Sequence, residues 1–245
     1  GAVSEDLFVI GNGDGNVYAL DLEDGALVWS YATNERIWTT PLIVEDSVYV
    51  ASMDHVLYAL NLADGALKWQ FEAQAALGGS PVLANGGLWI GDFSNRVYRL
   101  NPATGEALWT FEEGVDWFWA TGTPGDGWIA FTDVQGNIFT FDTRNPALLW
   151  KQRIEDEIFR GQGVVSADGS RLYVPGYKSG VIHVLETATG SVLPQIAISE
   201  GVGRLPGDLG SDAERIYVMP IMAAAHVQAL DAENGKLLWQ YPLPE

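Results

Sequence analysis

A period of about forty residues runs through this chain, and it restricts the fold more than any other feature. Six segments align: NVYALDLEDGALVWSY from Asn16, VLYALNLADGALKWQF from Val56, RVYRLNPATGEALWTF from Arg96, NIFTFDTRNPALLWKQ from Asn137, VIHVLETATGSVLPQI from Val181 and HVQALDAENGKLLWQY from His226. Trp29, Trp69 and Trp109 recur at an even spacing, followed by Trp150 and, two units later, Trp239. Each segment follows an apolar stretch, such as VYVAS at 48–52 or LWIGD at 88–92, and a shorter one ahead of that, such as TPLIV at 40–44. A unit therefore reads as four short antiparallel strands.

The alternation within the units says how they pack. In VLYAL, at 56–60, both alternating faces are apolar, whereas a sheet with one wet face should alternate apolar and polar. A sheet held between two neighbours has both faces buried, so the units should stack as blades. Asp24-Gly25 and Asp64-Gly65 fall between the third and fourth strands, where glycine supplies the positive φ of a tight hairpin or bulge. Thr104-Gly105, Thr189-Gly190 and Asn234-Gly235 repeat the device, and Asn145-Pro146 breaks it. The expected fold is all-β, a β-propeller of six four-stranded blades in a single domain, at approximately residues 1–35, 36–75, 76–115, 116–157, 158–202 and 203–245. The alternative is that these six belong to a larger ring of seven or eight. The first unit should lack most of its innermost strand, keeping only Gly1–Val3.

These residues resemble the PQQ-like (quinoprotein-type) propeller repeat, in which an acidic or amide residue leads through a Thr-Gly or Asp-Gly turn to a tryptophan. The resemblance covers essentially the whole chain, and it implies that Trp29, Trp69, Trp109, Trp150 and Trp239 dock against the adjacent blade. The fifth unit has Pro194 at that place, which leaves its junction without the usual contact. Among such proteins the chain looks like the non-catalytic, BamB-like group of outer-membrane-protein assembly lipoproteins.

Composition narrows the function. There are 32 acidic against 13 basic residues, a formal charge of −19, so nucleic acid and anionic membranes are poor partners. Cysteine is absent, which excludes disulfides and thiolate chemistry. No apolar run reaches the roughly 18 residues of a membrane span. The chain opens at Gly1 without a signal-like segment, which leaves room for an upstream lipid or membrane anchor.

Four places invite a chemical reading. PQQ with calcium is the cofactor the resemblance suggests for dehydrogenase relatives, but those use adjacent cysteines and long insertions, so no cofactor is expected. Asn12-Gly13-Asp14-Gly15-Asn16 has spaced oxygen ligands but no downstream glutamate, and it aligns with Met53-Asp54-His55 and Phe93-Ser94-Asn95, so it reads as a hairpin turn and not a metal site. His55, His183 and His226 lack metal-ligand spacing, and no nucleophile motif accompanies them. The segments entering each innermost strand should line one mouth of a channel, and they carry Arg36, Trp38, Trp117, Trp119, Phe159, Arg160 and Arg204. Arginine with aromatics is the composition of a binding hot spot, suited to an anionic group or an acidic, aromatic-bearing peptide.

The sequence therefore predicts a non-catalytic scaffold that holds a protein partner, periplasmic or extracellular, in an envelope complex. The competing reading is a small-molecule site for PQQ with calcium or another anionic ligand.

Overall fold

In the computed structural model, which describes residues 1–198, 205, 207–212, 214–219 and 226–242, each repeat forms one four-stranded antiparallel sheet with its strands in sequence order. These six sheets are the blades of a β-propeller. Three lie in a compact unit spanning Gly1–Thr121 and three in a second spanning Gly122–Glu245.

The second blade shows the pattern, with strands Leu42–Val44, Ser47–Ala51, Val56–Asn61 and Leu67–Glu72. Its middle strands are buried on both faces, with Val48, Val50, Leu57, Ala59 and Leu60 at zero exposure. Its fourth strand is wet on one side, leaving Leu67 exposed. The core is accordingly divided into slabs between consecutive sheets. Val9, Val17, Trp29, Val48 and Leu60 make one slab in the first unit, and Ile182, Ile196, Ile216 and Leu230 make one in the second. Removing such surface from water contributes roughly 25 cal/mol per Å² of apolar area, which is why both faces of each middle strand are apolar.

The first blade keeps its innermost strand within Gly1–Val3, as the sequence indicates. Its innermost strand, Ala2–Val3, has two residues, as do the innermost strands Thr123–Pro124, Val164–Val165 and Gly210–Ser211. An innermost strand pairs with one neighbour only, so two residues complete the sheet and the rest of the segment is left to the preceding loop.

Two kinds of turn hold each blade. Between third and fourth strands an Asp or Asn side chain accepts amide hydrogens from the turn, as Asp21 does from Glu23 at 2.7 Å and Asn61 from Ala63 at 2.8 Å. Gly65 closes that turn at φ +72°. In the fourth blade Asp142 accepts from Arg144 at 2.7 Å and Asn145 at 2.9 Å, and no left-handed glycine is used.

Between second and third strands a carboxylate organises the turn. Asp14 accepts from the Asn16 amide at 2.9 Å and the Tyr18 hydroxyl at 2.7 Å. Asp54 takes the Val56 amide at 3.1 Å and the Tyr58 hydroxyl at 2.7 Å, and Asp92 takes the Arg96 amide at 3.0 Å and the Tyr98 hydroxyl at 2.9 Å. The Tyr18 hydroxyl, with the Asn16 amide, holds the Asp14 carboxyl below the usual aspartate value. The turn also needs one left-handed residue, filled by Gly15, His55 and Asn95 in successive blades, at φ +85°, +75° and +72°. The oxygens of Asn12–Asn16 thus serve their own hairpin, and His55 is a turn residue.

Candidate partner-binding site

The loops that lead into each innermost strand share one frame. Ile37, Leu77 and Phe118 are buried anchors, and their amides donate to Asn12, Ser52 and Asp92 carbonyls at 3.1, 3.3 and 3.1 Å. Phe159 is the same anchor in the second unit, with zero exposure, its ring edge-on to His183 at 5.7 Å. The expectation that Phe159 meets a partner is therefore corrected: it lies in the core beneath its loop. In this frame Arg36 aligns with Trp117, whereas Arg160 aligns with Trp38 and Trp119. The arginines do not share one structural position, because the residues flanking each anchor point to different sides. Arg204 lies outside the described residues.

In the first unit the loops bring four of the predicted residues together. Trp38 and Trp119 lie 5.8 Å apart between ring centroids, and Arg36 sits 5.6 Å over the Trp38 ring. Phe93, from the turn between second and third strands of the third blade, stacks on Trp119 at 5.2 Å and on Trp117 at 5.0 Å. The result is a row of four rings, Trp38, Trp119, Phe93 and Trp117, with a guanidinium at one end. Offset and stacked ring pairs contribute about 0.5–1.5 kcal/mol each beyond their buried area. Trp38 is 52% exposed and Trp117 is 47% exposed, so the ends of the row face solvent. Glu35, Glu112 and Glu113, close in sequence to Arg36 and Trp117, are exposed.

Sequence reading missed Phe93, although it aligns with Met53 in a turn already recognised. It also missed why the row exists. Gly78 occupies the frame position held by Trp38 and Trp119 in the neighbouring loops, and a Cβ on it would lie 2.5 Å from the Phe93 ring. The bare backbone lets the phenyl lie down and reach the tryptophans. Replacing Gly78 with valine should tilt Phe93 out of the row at a cost of about 1–3 kcal/mol. The near-UV circular dichroism of the stacked indoles should fall with it; an unchanged spectrum would show that the row does not depend on this glycine.

In the second unit Arg160 lies 4.4 Å over the Tyr177 ring, the counterpart of Gly78 under Phe93. Beneath it is a buried pair. Glu157 is 4% and His183 5% exposed, with His183 Nε2 2.8 Å from Glu157 Oε2. The Ser179 hydroxyl donates to the same oxygen, and the amides of Ile158 and Lys178 donate to the other at 2.9 and 2.8 Å. Burial alone would raise this carboxyl's pKa. The hydrogen bonds from His183, Ser179 and the two amides outweigh it and bring Glu157 down to about 2. In the first four blades the acid pinning this turn comes from the turn itself; here it arrives from the preceding loop, and His183 stands where Tyr58 stands in the second blade.

The recurring tryptophans occupy the edges of the sheets. Trp29 donates its indole N–H to the Leu62 carbonyl at 2.8 Å, Trp69 to Pro102 at 3.0 Å and Trp150 to Thr187 at 2.8 Å, each on the next blade. Trp109 is half-buried beside Trp89 at 5.6 Å. Trp239 is 44% exposed, beside Tyr217 at 6.1 Å. Among the described residues no group of three or more His, Cys, Asp or Glu side chains is placed to hold a metal ion. Among the described residues no helix is long and apolar enough to cross a membrane.

Six repeat blades of four antiparallel strands, three of them joined to the next by an indole N–H, define a PQQ-repeat β-propeller. The family model described as outer membrane protein assembly factor BamB matches residues 1–112, 93–161 and 134–245, and the chain belongs to that family. Among solved structures it is similar to BamB from Moraxella catarrhalis, at 19% identity over 88% of this chain and 79% of that one, with a TM-score of 0.61; this likeness bears on the fold. No curated protein sequence matches it.

Proposed function

We propose that this chain is a non-catalytic scaffold of the cell envelope that holds a protein partner during outer-membrane protein assembly. Membership of the BamB family supports the setting. The observation that supports the contact surface is the row of Trp38, Trp119, Phe93 and Trp117, whose two exposed tryptophans stand on loops braced by buried anchors. Rigid aromatic side chains bury large area with little ordering cost, and tryptophan and arginine dominate interface hot spots. The partner segment that suits this face is apolar or aromatic, with one carboxylate placed for Arg36. A periplasmic location and an upstream anchor accord with this role.

A photoreactive residue placed at position 38 or 117 tests the reading in cells. Adducts to one envelope protein are expected from both positions. Trp38→Ala or Trp117→Ala should weaken that protein's binding to the purified chain by at least about thirtyfold, the equivalent of about 2 kcal/mol. Adducts from the exposed Leu149 on an outer strand, with none from 38 or 117, would overturn the assignment of this face.

A further inference from the structure

The fifth blade leaves a place that its fellow blades fill with indole. In three blades the fourth-strand tryptophan lays its ring on the turn glycine of the next blade. A Cβ on Gly65, Gly105 or Gly190 would lie 2.5–2.6 Å from Cε3 of Trp29, Trp69 or Trp150. The indole N–H then bonds the carbonyl three residues before that glycine. In the fifth blade the tryptophan position is Pro194. Proline cannot pair there, and the strand irregularity moves from its usual place to between Ile182 and Val184. Ile196, two residues further on, reaches the glycine instead, with Cγ1 2.5 Å from a Cβ on Gly235.

An isoleucine does not fill the space of an indole. A cavity of about 410 Å³ remains, lined by Arg171, Tyr173, Leu193, Pro194, Ile196 and Gly235. That volume falls within the roughly 300–1,000 Å³ of ligand pockets. Three residues before Gly235, the Ala232 carbonyl borders a neighbouring cavity that shares Arg171 and Tyr173, and it accepts the Tyr173 hydroxyl. The second blade shows what this carbonyl position can hold: Pro102 accepts both the Tyr49 hydroxyl and the Trp69 indole N–H, each at 3.0 Å. The rim is acidic. The exposed side chains of Asp168 and Glu233 flank an adjoining cavity of about 250 Å³, and Arg171 is turned onto the Glu233 backbone carbonyl.

We propose that this cavity receives the tryptophan side chain of a partner polypeptide, with a basic residue beside it. The chain's own repeats specify the occupant: an apolar ring on Gly235 and an N–H to Ala232. Asp168 and Glu233 supply the charge complement for a lysine or arginine. The site is built from residues of the second unit and the row at Trp38 and Trp117 from residues of the first, so either can fail without the other.

The test titrates the intact, nitrogen-15-labelled chain with acetyl-Lys-Trp-Lys-amide, acetyl-Lys-Leu-Lys-amide and N-acetyltryptophanamide. The tryptophan peptide should shift the amide signals of Leu193, Asn234 and Gly235 and bind at least about tenfold more tightly than either other probe. Pro194→Trp, which supplies the ring internally, should abolish those shifts. The wild-type shift map decides the matter even where that variant does not fold. Equal binding of the leucine peptide, or shifts that avoid residues 231–235, would overturn the proposal. Equal binding of N-acetyltryptophanamide would replace a polypeptide with a free indole compound as the occupant, and so overturn it as well.

Discussion

Replacing Trp29 with alanine is expected to cost about 3–5 kcal/mol, close to the whole stability of many domains. The side chain is 7% exposed, its ring covers Gly65, and its N–H bonds the Leu62 carbonyl at 2.8 Å. Truncation would open a cavity between consecutive blades and leave that carbonyl without its indole donor. Trp29→Phe should recover most of the packing and lose the hydrogen bond, at about 1–3 kcal/mol. Trp239→Ala is the internal control. That tryptophan is 44% exposed within its unit, and its removal should cost markedly less. Urea unfolding followed by far-UV circular dichroism reads all three. Equal losses at positions 29 and 239 would mean that the repeat tryptophan does not act through the junction.

The second large effect is expected at Glu157 and should depend on pH. Its folded pKa is about 2 against an ordinary 4.5, which corresponds to about 3 kcal/mol of stability near neutral pH. Because the folded value is depressed, that stability is fully present above about pH 4.5. It is lost as the pH falls from there toward 2. Glu157→Gln keeps an acceptor oxygen for the Ile158 and Lys178 amides but turns a neutral NH2 toward His183 and Ser179, so the charge that strengthens all four hydrogen bonds is lost. The variant should be about 3 kcal/mol less stable than wild type at pH 7, and the gap should close toward pH 2. A gap that stays constant across that range would show that the ionised carboxylate is not what the site requires.

The parts of this molecule that repeat were legible in the sequence, and the parts that depart from the repeat were not. Strand order followed from apolar stretches recurring beside Asp-Gly or Thr-Gly turns, because those residues meet the same constraint in each copy. Trp29, Trp69 and Trp150 meet the next blade for the same reason. The aromatic row was half visible. Trp38, Trp117 and Trp119 stood out as exposed aromatics on equivalent loops, but the partner ring, Phe93, comes from a different loop type and reaches them only because Gly78 is bare. Glu157 and His183 were harder still. They lie 26 positions apart, and His183, a residue of its blade's third strand, meets an acid from outside its own turn. That Arg160 follows its anchor whereas Arg36 precedes its own was hidden, because the frame is set by the buried Phe159 and Ile37.

The two turns of each blade treat their acids differently, and that bears on the chain's isoelectric point of about 4.3. In the turn between third and fourth strands, Asn61 and Asn101 accept the same amide hydrogens that Asp21 and Asp231 accept elsewhere, so the negative charge is incidental there. In the turn between second and third strands of the first three blades, the carboxylate takes an amide on one side and a tyrosine hydroxyl on the other, which an amide side chain could not do with both its atoms. Part of the acidity is thus a requirement of the hairpin in the first three blades, and part is free to change. Each further blade built like these three would add one such carboxylate, whatever its partners ask of it, whereas a third-to-fourth-strand turn lets its charge change without disturbing the sheet.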